Sequence, residues 1–182
     1  MSKLSLAERV LALERALATI PHAFGGAISL AYYAEPRATI DIDLNLFIPK
    51  ERFREVAAPL TALGAGADDP GVAELIRRDG QARVMWDATP IDLFFAYDAF
   101  HDAAASARRT VPFADTSISI LAAEHLIVCK VVFNRPKDWV DIDAMLAADV
   151  VIDVAEALRW VGRIVGDDDP RFERVAAVLT RR

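Results

Sequence analysis

The sequence is poor in cysteine, in long apolar runs and in basic residues. A single cysteine, Cys129, stands among its 182 residues, which excludes a disulfide framework and a zinc site of Cys/His spacing. Because Cys129 lies in an apolar stretch, we expect it to be a buried small side chain rather than a nucleophile. No apolar run approaches the roughly 20 residues that cross a bilayer, and the N-terminal residues lack a signal-peptide pattern. We therefore expect a cytoplasmic protein with no membrane partner.

Basic residues are fewer than acidic ones. The chain has 21 Lys and Arg against 27 Asp and Glu, a formal net charge of -6. That balance excludes broad, non-specific nucleic-acid binding, which needs a large basic surface. A local basic patch stays open, because arginines cluster at Arg77-Arg78, Arg108-Arg109 and Arg181-Arg182, with Arg171 and Arg174 near the last pair. The alternative is that these arginines lie on solvated helix faces.

The pattern of apolar residues predicts an α+β fold. Helical spacing predicts helices over 4–20, 27–34, 51–63 and 71–78 in the first part of the chain. β-branched and aromatic runs predict strands over 40–48, 83–86 and 91–95. From residue 121 onward the helical segments are 121–133, 139–146, 154–165 and 171–179. We expect a mixed sheet with flanking helices over residues 1–118, followed by a helical region over 119–182.

Two carboxylates lie on the first predicted strand. Side chains alternate between the faces of a strand, so Asp41 and Asp43 project to the same side, about 7 Å apart. Apolar neighbours are expected to bury this strand, namely Ile40, Ile42, Leu44, Leu46 and Phe47. Burying two carboxylates side by side without a cation is costly. The pair predicts a bound cation, and Mg²⁺ held against nucleotide phosphates fits best, because that ion prefers one or two carboxylates plus phosphate oxygens.

A third carboxylate and two glycines complete the candidate site. Asp92 stands inside the apolar run 91–95, where it needs a partner, and cations shared with Asp41 and Asp43 would supply one. The alternative is that Asp92 lies in water at a strand end or caps a turn. Gly25 and Gly26 have no side chains, so their backbone N–H groups can approach a phosphate where the next predicted helix begins.

The order of these features resembles the DNA polymerase beta-type nucleotidyltransferase superfamily. The pattern Gly25-Gly26-Ala-x-x-Leu30, followed by Arg37-x-Thr39-x-Asp41-Ile42-Asp43-Leu44, is similar to that of the AbiEii and MenT-type toxins of bacterial toxin-antitoxin systems. Those toxins also carry a downstream Lys and a Lys-Asp segment. The matching residues here are Lys130 and Lys137-Asp138, with Asp141 about one helical turn further on.

The resemblance implies a metal-dependent enzyme that transfers a nucleoside monophosphate from a nucleoside triphosphate to an acceptor hydroxyl. In MenT-like toxins the acceptor is the 3′ end of tRNA, and the transfer blocks translation. Carried over to this chain, it implies catalytic roles for Asp41, Asp43 and Lys137, and Mg²⁺ or Mn²⁺ at Asp41, Asp43 and Asp92. It implies nucleotide binding by Gly25, Gly26, Arg37, Lys130, Asp138 and Asp141. It also implies that the helical region 119–182 completes the active-site cleft of a nucleotidyltransferase-type sheet.

Some of the downstream residues have structural alternatives. Asp138 follows Pro136 and can be a helix N-cap, and Asp141 can interact with the helix dipole. Lys137 has no comparable structural role, so we favour a function for it in offsetting charge on the triphosphate or the leaving pyrophosphate. Asp153 precedes Glu156 by three residues, which is the spacing of a capping box and predicts a structural role. The alternative is that Asp153 lines the active-site cleft.

Thr39 is a candidate regulatory site. It lies two residues before Asp41, so in a continuous strand its hydroxyl would point toward the same site. The cognate antitoxin of MenT-like toxins can be a kinase, and a phosphate on Thr39 would add nearly two negative charges beside the carboxylates. The alternative is that Thr39 is a β-branched residue at the entrance of a strand.

Two other functions fit the same residues. A small-molecule nucleotidyltransferase, acting for example on an antibiotic hydroxyl, would use the same metal site with an acceptor pocket that lacks basic clusters. A catalytically degenerate protein with a binding or regulatory role would keep the fold alone. The three acids and two glycines argue against that second case, because a site freed from catalysis has no physical need to keep them together.

Overall fold

The computed structural model describes residues 4–180, which divide into two compact units. One unit comprises residues 4–28 and 38–121 and contains the β-sheet, whereas the other comprises residues 29–37 and 122–180 and is helical. The predicted α+β class, with a mixed sheet, flanking helices and a helical C-terminal region, is confirmed. Within residues 4–180 every helix is too short or too polar to cross a bilayer.

The first unit is built on a mixed sheet, which over the described residues has six strands in the order β3-β4-β2-β1-β6-β5. The strands are β1 His22–Phe24, β2 Ile42–Pro49, β3 Gln81–Trp86, β4 Thr89–Ala96, β5 Arg109–Phe113 and β6 Thr116–Ile120. The central strand β2 lies parallel to β4 and antiparallel to β1, and β3 and β4 form a hairpin. Along β2 the even-numbered residues are buried and the odd-numbered ones are partly exposed. One face of β2 therefore packs into the core, and the other carries Asp43 and Asn45.

The helices that precede residue 121 are α1 Leu6–Ala16, α2 Gly26–Leu30, α3 Phe53–Ala62, α4 Pro70–Asp79 and α5 Ala99–Ala107. A capping box starts α1, since the Ser5 hydroxyl accepts from the Glu8 N–H and the Glu8 carboxylate accepts from the Ser5 N–H. The buried face of the sheet is covered in part by α3, whose Phe53 ring meets Phe95 on β4 edge-to-face at 6.0 Å.

The helical unit contains α6 Ala123–Phe133, α7 Pro136–Ala147, α8 Val154–Val165 and α9 Pro170–Leu179. Helix α6 is apolar on nearly every side and packs against the other three. At the start of α8 the Asp153 carboxylate accepts a hydrogen bond of 2.9 Å from the Glu156 N–H. The structural role predicted for Asp153 is confirmed.

Several predicted boundaries are wrong. Strand β2 begins at Ile42 rather than at residue 40, and Ile40 is 69% exposed instead of buried. The helix predicted over 27–34 ends at Leu30, after which the chain tightens into turns closed by hydrogen bonds to the Leu30 carbonyl. The first helix ends at Ala16, well before Pro21. Cys129 is partly exposed rather than buried.

The sequence patterns also missed α5 and three strands, β1, β5 and β6. These strands have only three or five residues, too few to establish a period-two pattern. In β5 and β6 the pattern is further weakened by polar residues and by Pro112, which an edge strand tolerates because its outer N–H groups need no partner.

Candidate active site

Three acidic side chains and one arginine gather on the partly exposed face of the sheet. In the parallel pairing of β2 with β4, Asp43 stands opposite Asp92, and in the β3–β4 hairpin Asp92 stands opposite Arg83. Paired positions project to the same side of a sheet, so these three side chains form one row across three strands. Asp41 lies one residue before β2 and extends the row. We call Asp41, Asp43, Asp92 and Arg83 the carboxylate face.

Arg83 binds this face with its guanidinium group. Its Nε and Nη2 atoms each donate a hydrogen bond of 2.7 Å to one oxygen of Asp92, and Nη2 lies 3.9 Å from an oxygen of Asp41. The hydrogen bonds to Asp92 raise the pKa of Arg83, and the negative charges of Asp41 and Asp43 raise it further. Asp92 therefore has a partner, as the apolar strand requires, and that partner is the Arg83 guanidinium.

The carboxylate face has the donor chemistry of a site for a hard cation. Among residues 4–180 no three His, Cys, Asp or Glu side chains lie so that they could hold one metal ion together, which includes the trio Asp41, Asp43 and Asp92. A Mg²⁺ site does not require three such side chains, because that ion is held by one or two carboxylates together with substrate phosphate oxygens. Asp43 and Asp92, opposite one another and partly exposed, offer that number of ligands. The residues present therefore fit the metal that the sequence predicts.

The two glycines allow the chain to pass close to β2. Gly25 does not offer its N–H to a phosphate, as the sequence suggested, because that N–H donates to the Asp43 carbonyl at 2.9 Å. A Cβ on Gly25 would lie 2.7 Å from the Asn45 side-chain nitrogen, and one on Gly26 would lie 1.8 Å from an Asp43 carboxylate oxygen. Gly26 also has a φ of +50°, which side chains disfavour. Both glycines therefore make room for the face, and Gly26 makes room for Asp43 itself.

Replacing Gly26 with alanine is expected to displace Asp43. The positive φ alone costs about 1 to 2 kcal/mol of folding stability, and the new methyl group would also overlap the carboxylate. Gly80 supplies a matched control, since it has a φ of +70° and a Cβ there would meet no atom within 4 Å. Denaturant unfolding should show a loss of stability for both variants, whereas the nucleotidyl transfer that the sequence motifs imply should fall only for Gly26→Ala. Equal activity of the two variants would contradict this role of Gly26.

A second group of predicted residues meets in the helical unit. Arg37 binds the Asp141 carboxylate through two hydrogen bonds of 2.9 and 3.0 Å, and the Lys130 ammonium lies 2.5 Å from the same carboxylate. The side chains of Lys130 and Asp141 are 5% and 4% exposed. Burial acts to raise the pKa of Asp141, but the hydrogen bonds from Arg37 and Lys130 outweigh it and hold that pKa below its usual range. We call these three residues the Asp141 cluster.

The remaining predicted residues of α7 are separate from the Asp141 cluster. Asp138 is buried in the first turn, not at the N-cap, and its carboxylate accepts hydrogen bonds from the backbone N–H and the guanidinium of Arg135. Its contacts thus close the start of the helix. Lys137 is exposed in the same turn, where its ammonium is open to solvent.

Thr39 lies next to the carboxylate face but outside any strand. Its hydroxyl accepts from the Asp41 N–H at 3.2 Å and lies 3.3 Å from the Asp41 carbonyl oxygen. This contact is a local turn of the kind that Ser and Thr form with the backbone two residues on. The condition that a continuous strand includes Thr39 is not met, because β2 begins only at Ile42.

Three of the clustered arginines are ion-paired with residues close by in the sequence, and a fourth stacks on a tryptophan. Arg77 pairs with Glu74 and Arg78 with Asp79 on α4, and Arg171 binds Asp169 at the start of α9. Arg174 stacks on Trp139, with its guanidinium carbon 3.8 Å from the ring centre. These contacts favour the solvated-face interpretation for the arginines concerned. The pair Arg181-Arg182 lies outside the described residues.

Two residues of this site were not found from the sequence. Arg83 belongs to a strand that alternates exposed and buried residues, so its outward direction could have been predicted, but its partner depends on the hairpin register. Asn45 follows Asp43 on the same face of β2 and approaches Gly25. The alternation along β2 was visible in the sequence and could have indicated it.

Similar solved structures share the nucleotidyltransferase fold. A solution structure of the antibiotic-resistance factor ANT(2'')-Ia has a TM-score of 0.54 at 15% identity, over 95% of this chain and 90% of that one. A crystal structure of ANT(2")-Ia with adenylyl-2"-tobramycin has a TM-score of 0.52 at 16% identity, over 94% and 95%. An antigenic nucleotidyltransferase-like protein from Paracoccidioides brasiliensis has a TM-score of 0.51 at 15% identity, over 97% and 87%.

Sequence comparison identifies a family. No curated protein matches the chain. The family model described as nucleotidyl transferase AbiEii toxin, type IV toxin-antitoxin system, matches residues 10–176. This range includes both glycines, the carboxylate face and the Asp141 cluster, and it confirms the resemblance drawn from the sequence motifs. The chain belongs to the AbiEii family of nucleotidyl transferase toxins.

Proposed function

We propose that this protein transfers a nucleoside monophosphate from a nucleoside triphosphate to the 3′ end of tRNA, and that this reaction arrests growth until an antitoxin opposes it. The observation that carries the proposal is the carboxylate face, where Asp43 and Asp92 stand opposite one another on parallel strands beside Asp41. Family membership supports the nucleotidyl transfer and the antitoxin. The tRNA acceptor rests on the resemblance of the motifs to MenT-type toxins.

In the proposed reaction, the terminal hydroxyl oxygen of the acceptor forms a bond to the α-phosphorus. The bond from that phosphorus to the bridging oxygen breaks, pyrophosphate leaves with that oxygen, and the hydroxyl proton passes to water. A divalent cation, Mg²⁺ or Mn²⁺, would supply positive charge against the triphosphate oxygens. Asp43 and Asp92 would hold it, with Asp41 next to them, and Gly26 lets the Asp43 carboxylate keep its place.

The basic residues have different roles in this proposal. Lys137 is exposed and keeps its ammonium in solvent, so it is available to a phosphate or pyrophosphate. Lys130 and Arg37 are engaged by Asp141, which holds their positive charges in fixed positions. We assign Asp141 the role of positioning Lys130 and Arg37, for which the motif resemblance implies nucleotide binding. Asp138 acts indirectly, because its carboxylate accepts hydrogen bonds from Arg135 at the start of α7.

The test incubates the purified protein with Mg²⁺, total tRNA and each of the four α-labelled ribonucleoside triphosphates in turn, beside an Asp41→Ala variant. Label should enter tRNA with the wild-type protein and be absent with the variant. Removal of the terminal tRNA nucleotides with a 3′ exonuclease should release the label early. Binding of nucleotide without labelling of tRNA would contradict the proposal.

A small-molecule acceptor is the second candidate. Arg77, Arg78 and Arg171 are already ion-paired, and the net charge of -6 suits a cationic acceptor better than an anionic one. The ANT(2")-Ia structure with adenylyl-2"-tobramycin has the same fold and holds a nucleotidylated antibiotic. Incubation of the protein with aminoglycosides and labelled triphosphates, without tRNA, distinguishes the candidates. Labelled antibiotic would favour this second function.

Phosphorylation of Thr39 is proposed as the means by which a kinase antitoxin would act. The Thr39 hydroxyl is hydrogen-bonded to the backbone of Asp41, so a phosphate there would lie beside the carboxylate face. Its charge would oppose both the cation and the triphosphate. Thr39→Glu should therefore lower nucleotidyl transfer by at least about tenfold, whereas Thr39→Val should lower it much less. Unchanged nucleotidyl transfer by Thr39→Glu would contradict the proposed inhibition by phosphorylation of Thr39.

A further inference from the structure

We propose that Arg83 is a built-in counter-ion of the carboxylate face that competes with a divalent cation and so sets the affinity of the site for metal. The inference rests on the proposed metal-dependent function. It concerns a residue that lies outside the glycine, Asp-x-Asp and Lys-Asp motifs.

The position of Arg83 follows from the hairpin. Along β3 the residues Ala82, Val84 and Trp86 are buried, so Arg83 emerges on the opposite face of the strand. The register of the hairpin places it directly opposite Asp92, and the register of β2 with β4 places Asp92 directly opposite Asp43. A shift of β3 by one residue would turn the guanidinium into the core. The fold therefore holds a positive charge at the edge of the carboxylate row.

The contacts of Arg83 are those of a bound cation. Its planar fork occupies both oxygens of Asp92 at 2.7 Å and approaches Asp41 at 3.9 Å. A guanidinium binds a carboxylate in this bidentate manner more specifically than an ammonium does. An Asp92 oxygen that enters the coordination shell of a metal ion must weaken its bond to Arg83. The metal ion and the guanidinium also repel each other across the same few ångströms.

The charge count leaves room for a cation even with Arg83 in place. Three carboxylates and one guanidinium carry a formal charge of about -2. Arg83 therefore reduces the attraction of the face for a divalent ion without removing it. The side chain of Arg83 is 54% exposed, so the guanidinium can move into solvent when a cation and the triphosphate arrive. Without metal, Arg83 would offset the repulsion among the three carboxylates in the folded protein. It would also weaken the binding of free metal relative to metal that is bound to a nucleotide.

The test measures Mn²⁺ binding to the nucleotide-free protein by titration with detection of the electron paramagnetic resonance signal of free Mn²⁺. Arg83→Met should bind Mn²⁺ about three- to tenfold more tightly than wild type, the effect of one unit charge a few ångströms away in a partly exposed site. Arg83→Lys keeps the charge but loses the bidentate fork, so its affinity should lie between those of wild type and Arg83→Met. Arg109→Met is the matched control, because Arg109 is an exposed arginine on β5, the other edge strand. The Arg109→Met protein should bind Mn²⁺ with the same affinity as wild type.

The outcomes separate this inference from the proposed function. Tighter binding by Arg83→Met alone would support the counter-ion role. A second outcome is that wild type binds Mn²⁺, Asp43→Asn does not, and Arg83→Met binds no more tightly than wild type. That outcome would overturn the counter-ion role and leave the metal site intact. Absence of Mn²⁺ binding in every variant would overturn the metal site and the counter-ion role together.

Thermal melting gives a second measurement. Without metal, Arg83→Met should melt below wild type, because three carboxylates then lack their counter-ion. Saturating Mn²⁺ should reduce the difference, since an ion that binds the folded state more tightly in the variant stabilises the variant more. An equal deficit with and without Mn²⁺ would indicate that Arg83 contributes only packing, and would overturn the proposal.

Discussion

Asp43→Asn is expected to lose nucleotidyl transfer almost completely while remaining folded. Asp43 is central to the carboxylate face, since it stands beside Asp92 and its carboxylate occupies the space that Gly26 leaves open. Asparagine keeps the shape of the side chain but not its charge, so it binds a divalent cation much more weakly. We expect transfer to fall about 10² to 10³-fold, the range found when one group that stabilises transition-state charge is removed.

Stability measurements distinguish this loss from unfolding. The substitution removes one negative charge from a face with three carboxylates, so the melting temperature should be unchanged or slightly higher. Asp115→Asn makes the same chemical change at an exposed residue in the turn between β5 and β6, and it should keep full activity. Transfer by Asp43→Asn within a few-fold of wild type would contradict the assignment of Asp43 as a metal ligand.

Asp141→Asn is expected to cause the largest loss of folding stability among the predicted site residues. It leaves the Lys130 ammonium 5% exposed and without the carboxylate charge, and it replaces one of the two oxygens that accept from Arg37 with an amide N–H donor. Removal of one partner from a buried ion pair costs about 3 kcal/mol or more, because the other charge stays buried. Denaturant unfolding would measure the difference. Asp143→Asn, at an exposed position on the same helix, should stay within about 0.5 kcal/mol of wild type.

The stability contributed by Asp141 should depend on pH. Arg37 and Lys130 hold the pKa of Asp141 below its unfolded value despite burial, so the folded state favours the ionised carboxylate. That contribution is fully present above the unfolded pKa of about 4 and is lost as pH falls through the lower pKa of the folded state. The free-energy difference between wild type and Asp141→Asn should therefore narrow on acidification below about pH 4. A difference that stays constant down to pH 2 would contradict the ion-pair interpretation.

The sequence predicted the candidate residues better than it predicted their contacts. Asp41, Asp43 and Asp92 were linked through the requirement that a carboxylate in an apolar strand must have a partner, and the sheet does place Asp92 opposite Asp43. The role expected for the Gly25 N–H was wrong, because that N–H closes a hydrogen bond with β2. The short strands β1, β5 and β6 were missed because pairing with neighbouring strands stabilises them, and no long local pattern marks them in the sequence.

The sequence by itself determined the α+β class, the long helices and the residue types of the site, because helical and strand periodicities and the spacing of Asp41 and Asp43 are local properties of the chain. Only the tertiary structure decided which charges meet. Arg83 reaches Asp92 through the register of a hairpin, and Arg37 reaches Asp141 across 104 positions of sequence. Register and long-range packing depend on the burial of whole strands and helices, so no local pattern encodes which partner a surface arginine or a buried lysine will find.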